Sequence, residues 1–196
     1  MDIKEFIVTN DFEGAIVLLE GKRIVNSEDK ELLISLGQLL AYQTKYILFR
    51  SGNAPGADEL FCQGVSLVDR SRIQLVIPNK EHRKKSRIGI QAISLDEINL
   101  LNEPEIIFQS KSNLKTKNLV ERYVSGHRDS ITNKAAYIIR DTIKVIGTSC
   151  LQPANFGIFY DDLDNPFQGG TGHTMKVCEV NNIPIINQNT WKKWLL

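Results

Sequence analysis

Short apolar runs alternate along the chain with stretches of helical periodicity. Ala15-Ile16-Val17-Leu18-Leu19 is a continuous apolar run of strand length, and Gly21-Lys22-Arg23 follows it. Ser27 then opens a pattern over residues 28–43 that puts Leu32, Leu33, Leu36, Leu39 and Leu40 on one helical face. Tyr46-Ile47-Leu48-Phe49 reads as a second strand, residues 59–68 as a short helix, and Ile73-Gln74-Leu75-Val76-Ile77 as a third strand stopped by Pro78. Toward the end, residues 131–140 predict a helix, Ile143-Lys144-Val145-Ile146 a strand, and Gly157-Ile158-Phe159-Tyr160 another. A loop over 161–172, a helix over 173–181 and a strand over 183–186 complete the pattern. There is no repeat and no low-complexity segment.

Strands that alternate with helices pair in parallel through right-handed crossovers. The expected fold class is therefore α/β: a single Rossmann-like, mostly parallel sheet with helices on both faces, extending over residues 1–196. Residues 79–127 interrupt the alternation as a less regular insertion. It contains a basic run, a helix near Leu95–Leu101 and a polar stretch from Ser110 to Asn118.

Two glycine-rich segments lie between a strand and the next helix, Ser51-Gly52-Asn53-Ala54-Pro55-Gly56-Ala57-Asp58 and Gly169-Gly170-Thr171-Gly172-His173-Thr174. In open parallel sheets such connections share the carboxyl edge, where ligands bind. Exposed backbone N–H groups and the positive end of the following helix suit a phosphate there. A tight connector is the alternative use of each segment, and two at one edge favour the ligand. Neither is a Gly-Lys-Ser/Thr phosphate loop or a Gly-x-Gly-x-x-Gly fingerprint. Asp58 is placed to cap a helix, to touch ligand, or both. Thr171, His173 and Thr174 bring hydroxyl and imidazole groups, whereas His82 and His127 are read as surface residues.

Lys80, Arg83, Lys84, Lys85 and Arg87 form a basic cluster, read first as a solvated face and second as an anion contact. Asp161, Asp162 and Asp164 could serve Mg²⁺ together with substrate phosphates, or simply form a turn rich in Asp, Asn and Pro. No metal site and no catalytic constellation is otherwise evident. The net charge of +1 argues against a nucleic-acid partner. The absence of a long apolar run argues against a membrane. Three separated cysteines, Cys62, Cys150 and Cys178, suggest reduced structural thiols and a cytoplasmic location.

At the two glycine segments the sequence resembles the SLOG superfamily, the Rossmann-like group that includes the DNA-processing protein DprA, the LOG phosphoribohydrolases and YpsA-type proteins. "RSGNAPGAD" is similar to its Ser-Gly-x-Ala-x-Gly-Ala-Asp signature and "GGTGHT" to its second loop, while "EGKR" (20–23) resembles the Gly-Ser-Arg after the first strand. The resemblance implies a nucleotide or nucleotide-derived phosphorylated ligand across both loops. Arg23, Ser51, Gly52, Asn53, Ala54, Gly56 and Asp58 would line one side, and Gly169, Gly170, Thr171, Gly172, His173 and Thr174 the phosphate. It also implies a homodimer. Lys176 stands where LOG enzymes carry a catalytic glutamate, so LOG-type hydrolysis is not expected. A binding, sensing or carrier module is the leading expectation. A nucleotide-processing hydrolase or transferase comes next, and an interaction module using the basic segment third.

Overall fold

The computed structural model describes residues 1–112 and 114–196. Asn113, inside the polar stretch read from the sequence, lies outside the described residues. Six strands form one sheet: β1 (Ile16–Gly21), β2 (Leu48–Ser51), β3 (Ile73–Ile77), β4 (Gln91–Ser94), β5 (Phe156–Tyr160) and β6 (Ile185–Ile186). Their order is β4-β3-β2-β1-β5-β6, and every pairing between them is parallel. The chain runs outward from β1 to β4 on one side and then resumes at β5 on the other. The carboxyl ends of β1 and β5 therefore flank the topological switch point, where open α/β sheets place their ligands.

Helices cover both faces, as expected. On one face α1 (Ile3–Asn10), α2 (Lys30–Gln43), α3 (Ala57–Ser66) and α8 (Gln188–Trp191) bury Phe6, Leu36, Phe61 and Trp191 against Val17, Leu19, Phe49 and Leu75. The other face carries α4 (Pro104–Ser110), α5 (Lys117–Val124), α6 (Asn133–Ile146) and α7 (Gly169–Val180). Strand side chains alternate, so Ile16 and Leu18 face α6 and α7. Glu20 continues that register and reaches Lys144 of α6.

Several elements differ from the pattern, each for a physical reason. The strand expected at 143–146 is the last turn of α6, which runs unbroken to a left-handed Gly147. This helix keeps a one-sided apolar pattern, but its polar side, Arg140, Asp141, Thr142 and Lys144, is buried as well, and its last turn, Ile-Lys-Val-Ile, alternates like a strand when read alone. The segment Gly169–Thr174 is likewise the opening of α7 rather than a loop before it. Pairing of β2 begins at Leu48 because the Asp11 carboxylate already accepts the N–H groups of Lys45 and Tyr46. In the middle region β4 is a four-residue edge strand with an exposed start at Gln91-Ala92. The helix expected near Leu95–Leu101 is two 3₁₀ turns, Leu95–Glu97 and Leu100–Asn102, each capped by a side chain.

Two glycines set the packing of α2 on α3. A Cβ on Gly64 would stand 1.9 Å from the Ile34 carbonyl oxygen, and one on Gly37 would stand 2.2 Å from that of Phe61. Gly64→Ala must push the helices apart at a cost of about 1–3 kcal/mol. We expect its thermal midpoint to fall by several degrees; an unchanged midpoint would show that the two helices part freely.

Candidate functional site

The first glycine segment is shorter than its sequence suggests. Ser51 ends β2, Ala57 begins α3, and five residues connect them. What comes close to this backbone is the protein itself. A Cβ on Gly52 would lie 2.0 Å from Arg140 Nη1, which donates to the Gly52 carbonyl oxygen. A Cβ on Gly56 would lie 2.2 Å from the Arg23 carbonyl oxygen, and Gly56 has a φ of +91° that side chains resist. Arg23 thus meets the loop through its backbone, as the Ala57 N–H bond to the Lys22 carbonyl also requires.

Asp58 is the second residue of α3, not its cap; the capping position is Gly56, which has no capping side chain. Its carboxylate accepts N–H bonds from Gly21 (3.0 Å), Gly52 (3.2 Å) and Ala54 (3.3 Å), stapling the ends of β1 and β2 together. The amides that might have cradled a phosphate therefore hold an internal anion. Asn53 keeps a left-handed backbone, and its buried Nδ2 has no acceptor.

The second segment is arranged differently. Gln168 has the extended backbone of a helix cap, but its side chain makes no capping bond. The first intrahelical bond runs from the Gly172 N–H to the Gln168 carbonyl, leaving the amides of Gly169, Gly170 and Thr171 at the open end. Gly172 itself is no phosphate contact. A Cβ there would sit 1.9 Å from the Phe167 carbonyl carbon, so this glycine exists for packing. His173 is also turned inward: its Nε2 lies 3.0 Å from Thr142 Oγ1, which in turn accepts from the buried Ser110 hydroxyl. Burial lowers the His173 pKa, which favours the neutral imidazole of that chain. Thr174 is buried and donates to the Gly170 carbonyl oxygen.

Between the two segments lies a chain of buried charges that the sequence reading missed. Arg140 Nη2 is 2.9 Å from Asp141 Oδ1, Lys144 Nζ is 2.8 Å from the same oxygen, and Lys144 also pairs with Glu20 Oε2. Asp141 Oδ2 faces α7, 3.1 Å from where a Cβ of Gly170 would be. Burial opposes ionisation of Asp141, but Arg140 and Lys144 outweigh it and hold the carboxyl below its ordinary range. Burial, and then the Asp58 carboxylate, push Glu20 up to about 8. Glu20 Oε1 and Arg140 Nε have no hydrogen-bond partner. The signals were a glutamate closing an apolar strand and three charges spaced i, i+1, i+4 in an apolar helix. A further buried cation, Arg50, lies on the same face, bonded to Gln74 and to the Lys144 carbonyl; burial lowers it to about 10.

The basic segment folds over the first glycine segment. His82 Nε2 and Arg83 Nη1 both reach the Asn53 carbonyl oxygen, at 3.3 and 3.2 Å. His82 is therefore half-buried rather than a plain surface residue, and burial followed by Arg140 lowers it to about 4. Lys80, Arg83 and Lys84 are ion-paired with Glu97, Glu59 and Glu81. The acidic loop is a turn: Asp162 accepts the N–H groups of Asp164 and Asn165, and Asp161 that of Phe167. Among the described residues no three His, Cys, Asp or Glu side chains are grouped to hold a metal ion. Cys62 and Cys178 are buried, Cys150 is exposed, and burial pushes both buried thiols up to about 12. Two surface hollows lie away from these charges, one of about 290 Å³ beside Leu95 and Tyr123 and one of about 440 Å³ beside Tyr42 and Trp194.

No family model matches the chain, and no curated protein matches it. Among solved structures it is similar to DNA processing protein A from Helicobacter pylori, described for its single-stranded DNA binding mode. The TM-score is 0.51 at 15% identity, covering 95% of this chain and 68% of that one. The chain shares the Rossmann-like fold of that protein. The expectation against a nucleic-acid partner does not stand, because a protein of this same fold binds single-stranded DNA. Net charge averages over the whole surface and misses cations gathered at one edge, such as Arg23 and Lys85 here. No helix among the described residues is long and apolar enough to cross a membrane.

The raised Glu20 pKa has a definite sign in the stability curve. The folded state holds a proton that the unfolded chain releases near the ordinary value of 4.5. The associated stability is complete below that value and is lost as pH rises through about 8. Between pH 7 and 8.5 the wild type should lose on the order of 1 kcal/mol, offset only slightly near pH 7 by His82 and His173, whose lowered folded values act with the opposite sign. Glu20→Gln should flatten that slope in thermal melts; an equal slope in both proteins would remove Glu20 from the titration.

Proposed function

We propose that this chain is a SLOG-type Rossmann-like protein that binds the phosphate of a nucleotide-type ligand, free or at the end of a strand, at the amino end of α7. The observation that carries the reading is one unfilled donor set at the switch point. Helix α7, of twelve residues, begins without a side-chain cap, and Arg140, paired to the Asp141 carboxylate that faces Gly170, has a buried Nε without an acceptor. A helix N-terminus favours an anion through its free amides and its dipole. Buried donors without acceptors cost free energy that an anionic ligand returns. The first glycine segment is then a wall closed by Asp58, and the phosphate contacts are Gly169, Gly170 and Thr171. The single-stranded DNA binding of the Helicobacter pylori protein supports a phosphorylated nucleotide unit as the ligand class.

Gln168→Asp separates this reading from a purely structural helix end. The new carboxylate caps the free amides, so the unliganded protein should gain about 1 kcal/mol, or roughly 2–4 °C. It also occupies the place of the phosphate. With a nucleoside 5′-monophosphate at a hundred times its dissociation constant, the wild type should gain about 2.7 kcal/mol, roughly 5–10 °C. The variant should gain almost nothing, and the unphosphorylated nucleoside should shift neither. A 5′-phosphorylated oligodeoxynucleotide that binds more tightly than the mononucleotide, with affinity falling as salt rises, assigns the ligand to a strand. Equal shifts in wild type and variant would place the ligand elsewhere and overturn the reading.

A further inference from the structure

The charge chain raises a question that the anion site alone does not answer. A phosphate at the amino end of α7 would lie against Gly170, where Asp141 Oδ2 already stands. Two anions cannot share that position without a cation between them. The partners of Asp141 are a guanidinium at 2.9 Å and an ammonium at 2.8 Å, the two groups that commonly bind phosphate. Asp141 Oδ1 therefore stands, inside the protein, beside the two cations a phosphate would meet, in ion-pair contact with both and with no hydrogen bond of its own.

We infer that Arg140 is the residue that reads the ligand's phosphate, and that Asp141 holds its place until a phosphate monoester draws the guanidinium away; this rests on the binding site proposed above.

The two cations are not held equally. Lys144 is fixed by Glu20 as well as Asp141, and it is almost fully buried. Arg140 is held by Asp141 and by the Gly52 carbonyl, and its Nε donates to nothing. Gly52 lacks the Cβ that would fill the guanidinium's place, and the Tyr137 ring lies 5.5 Å from it as a flat support. A guanidinium is planar and weakly hydrated, and its fork matches the paired oxygens of a carboxylate or of a phosphate, which lets it exchange one for the other. Removing Arg140 from Asp141 does not strand the carboxylate, because Lys144 and the positive end of α7 remain beside it.

The ligand class follows from the donor count. The amides at the start of α7 and the fork of Arg140 together ask for at least three terminal oxygens. A phosphate monoester has three, whereas an internal phosphodiester has two. A dianion also competes better against the Asp141 carboxylate than a monoanion does. The site is thus specific for a terminal phosphate over a backbone phosphate.

The test is a calorimetric titration with inorganic phosphate, 5′-AMP and dimethyl phosphate on wild type, Asp141→Asn and Arg140→Gln. Asp141→Asn keeps the shape and removes the competing charge, so it should bind phosphate and 5′-AMP at least fivefold more tightly. Arg140→Gln should lose at least tenfold, and dimethyl phosphate should bind none of the three proteins. Affinity unchanged or weakened in Asp141→Asn, or dimethyl phosphate binding as well as 5′-AMP, would overturn the inference. A second readout needs no variant: the Arg140 Nε–H resonance of the wild type should move on adding 5′-AMP. If the α7 amides move and Arg140 does not, the inference fails while the binding site stands. If neither moves, both fail.

Discussion

The structure depends on burying a chain of charges in the middle of an apolar layer. Glu20, Lys144, Asp141 and Arg140 run from the end of β1 through α6 to the carbonyl of Gly52. A buried ion left alone would be costly, but the two central groups have two partners each: Asp141 meets Arg140 and Lys144, and Lys144 meets Asp141 and Glu20. The chain fixes how α6 sits on the sheet and where the amino end of α7 opens, and it explains why Gly52 carries no side chain.

Seen this way, the two glycine segments are not equivalent. The first has an internal carboxylate, Asp58, on three amides and is complete without a ligand. The second faces an internal carboxylate, Asp141, but its own amides lack a side-chain cap. The difference matters because an anion site needs free donors, not glycines as such. Gly172 makes the point from the other side: its missing side chain is required by the Phe167 backbone, and its N–H is already bonded to the Gln168 carbonyl.

The central strands were readable from sequence because they are buried on both faces and stand out as apolar runs, whereas the exposed edge strand β4, Gln91–Ser94, carries no such run and was not read. Ile73–Ile77 matches residue for residue. The same logic failed at 143–146, where the last turn of α6 reads Ile-Lys-Val-Ile and alternates like a strand when taken apart from the helix before it. It failed again at Gly169–Thr174, where three glycines signalled a loop although the buried His173, Thr174 and Met175 hold the segment in α7. The site was half legible. Arg23, Gly52, Gly56 and Asp58 do come together, as do Gly169, Gly170 and Thr171 at one helix end. Glu20, Arg140, Asp141 and Lys144 were not read, because a charge in an apolar helix declares its partner only once the helix is placed. Nor could net charge report on nucleic acid, since a whole-chain sum says nothing of how charges are distributed over the surface.

The account stands or falls on where an anion settles. A crystal structure of the protein with inorganic phosphate should show it at the start of α7, within about 3 Å of the amides of Gly170 and Thr171 and with the Arg140 guanidinium turned toward it. Phosphate bound instead on Lys84, Lys85 and Arg87, with Arg140 still paired to Asp141, would contradict it.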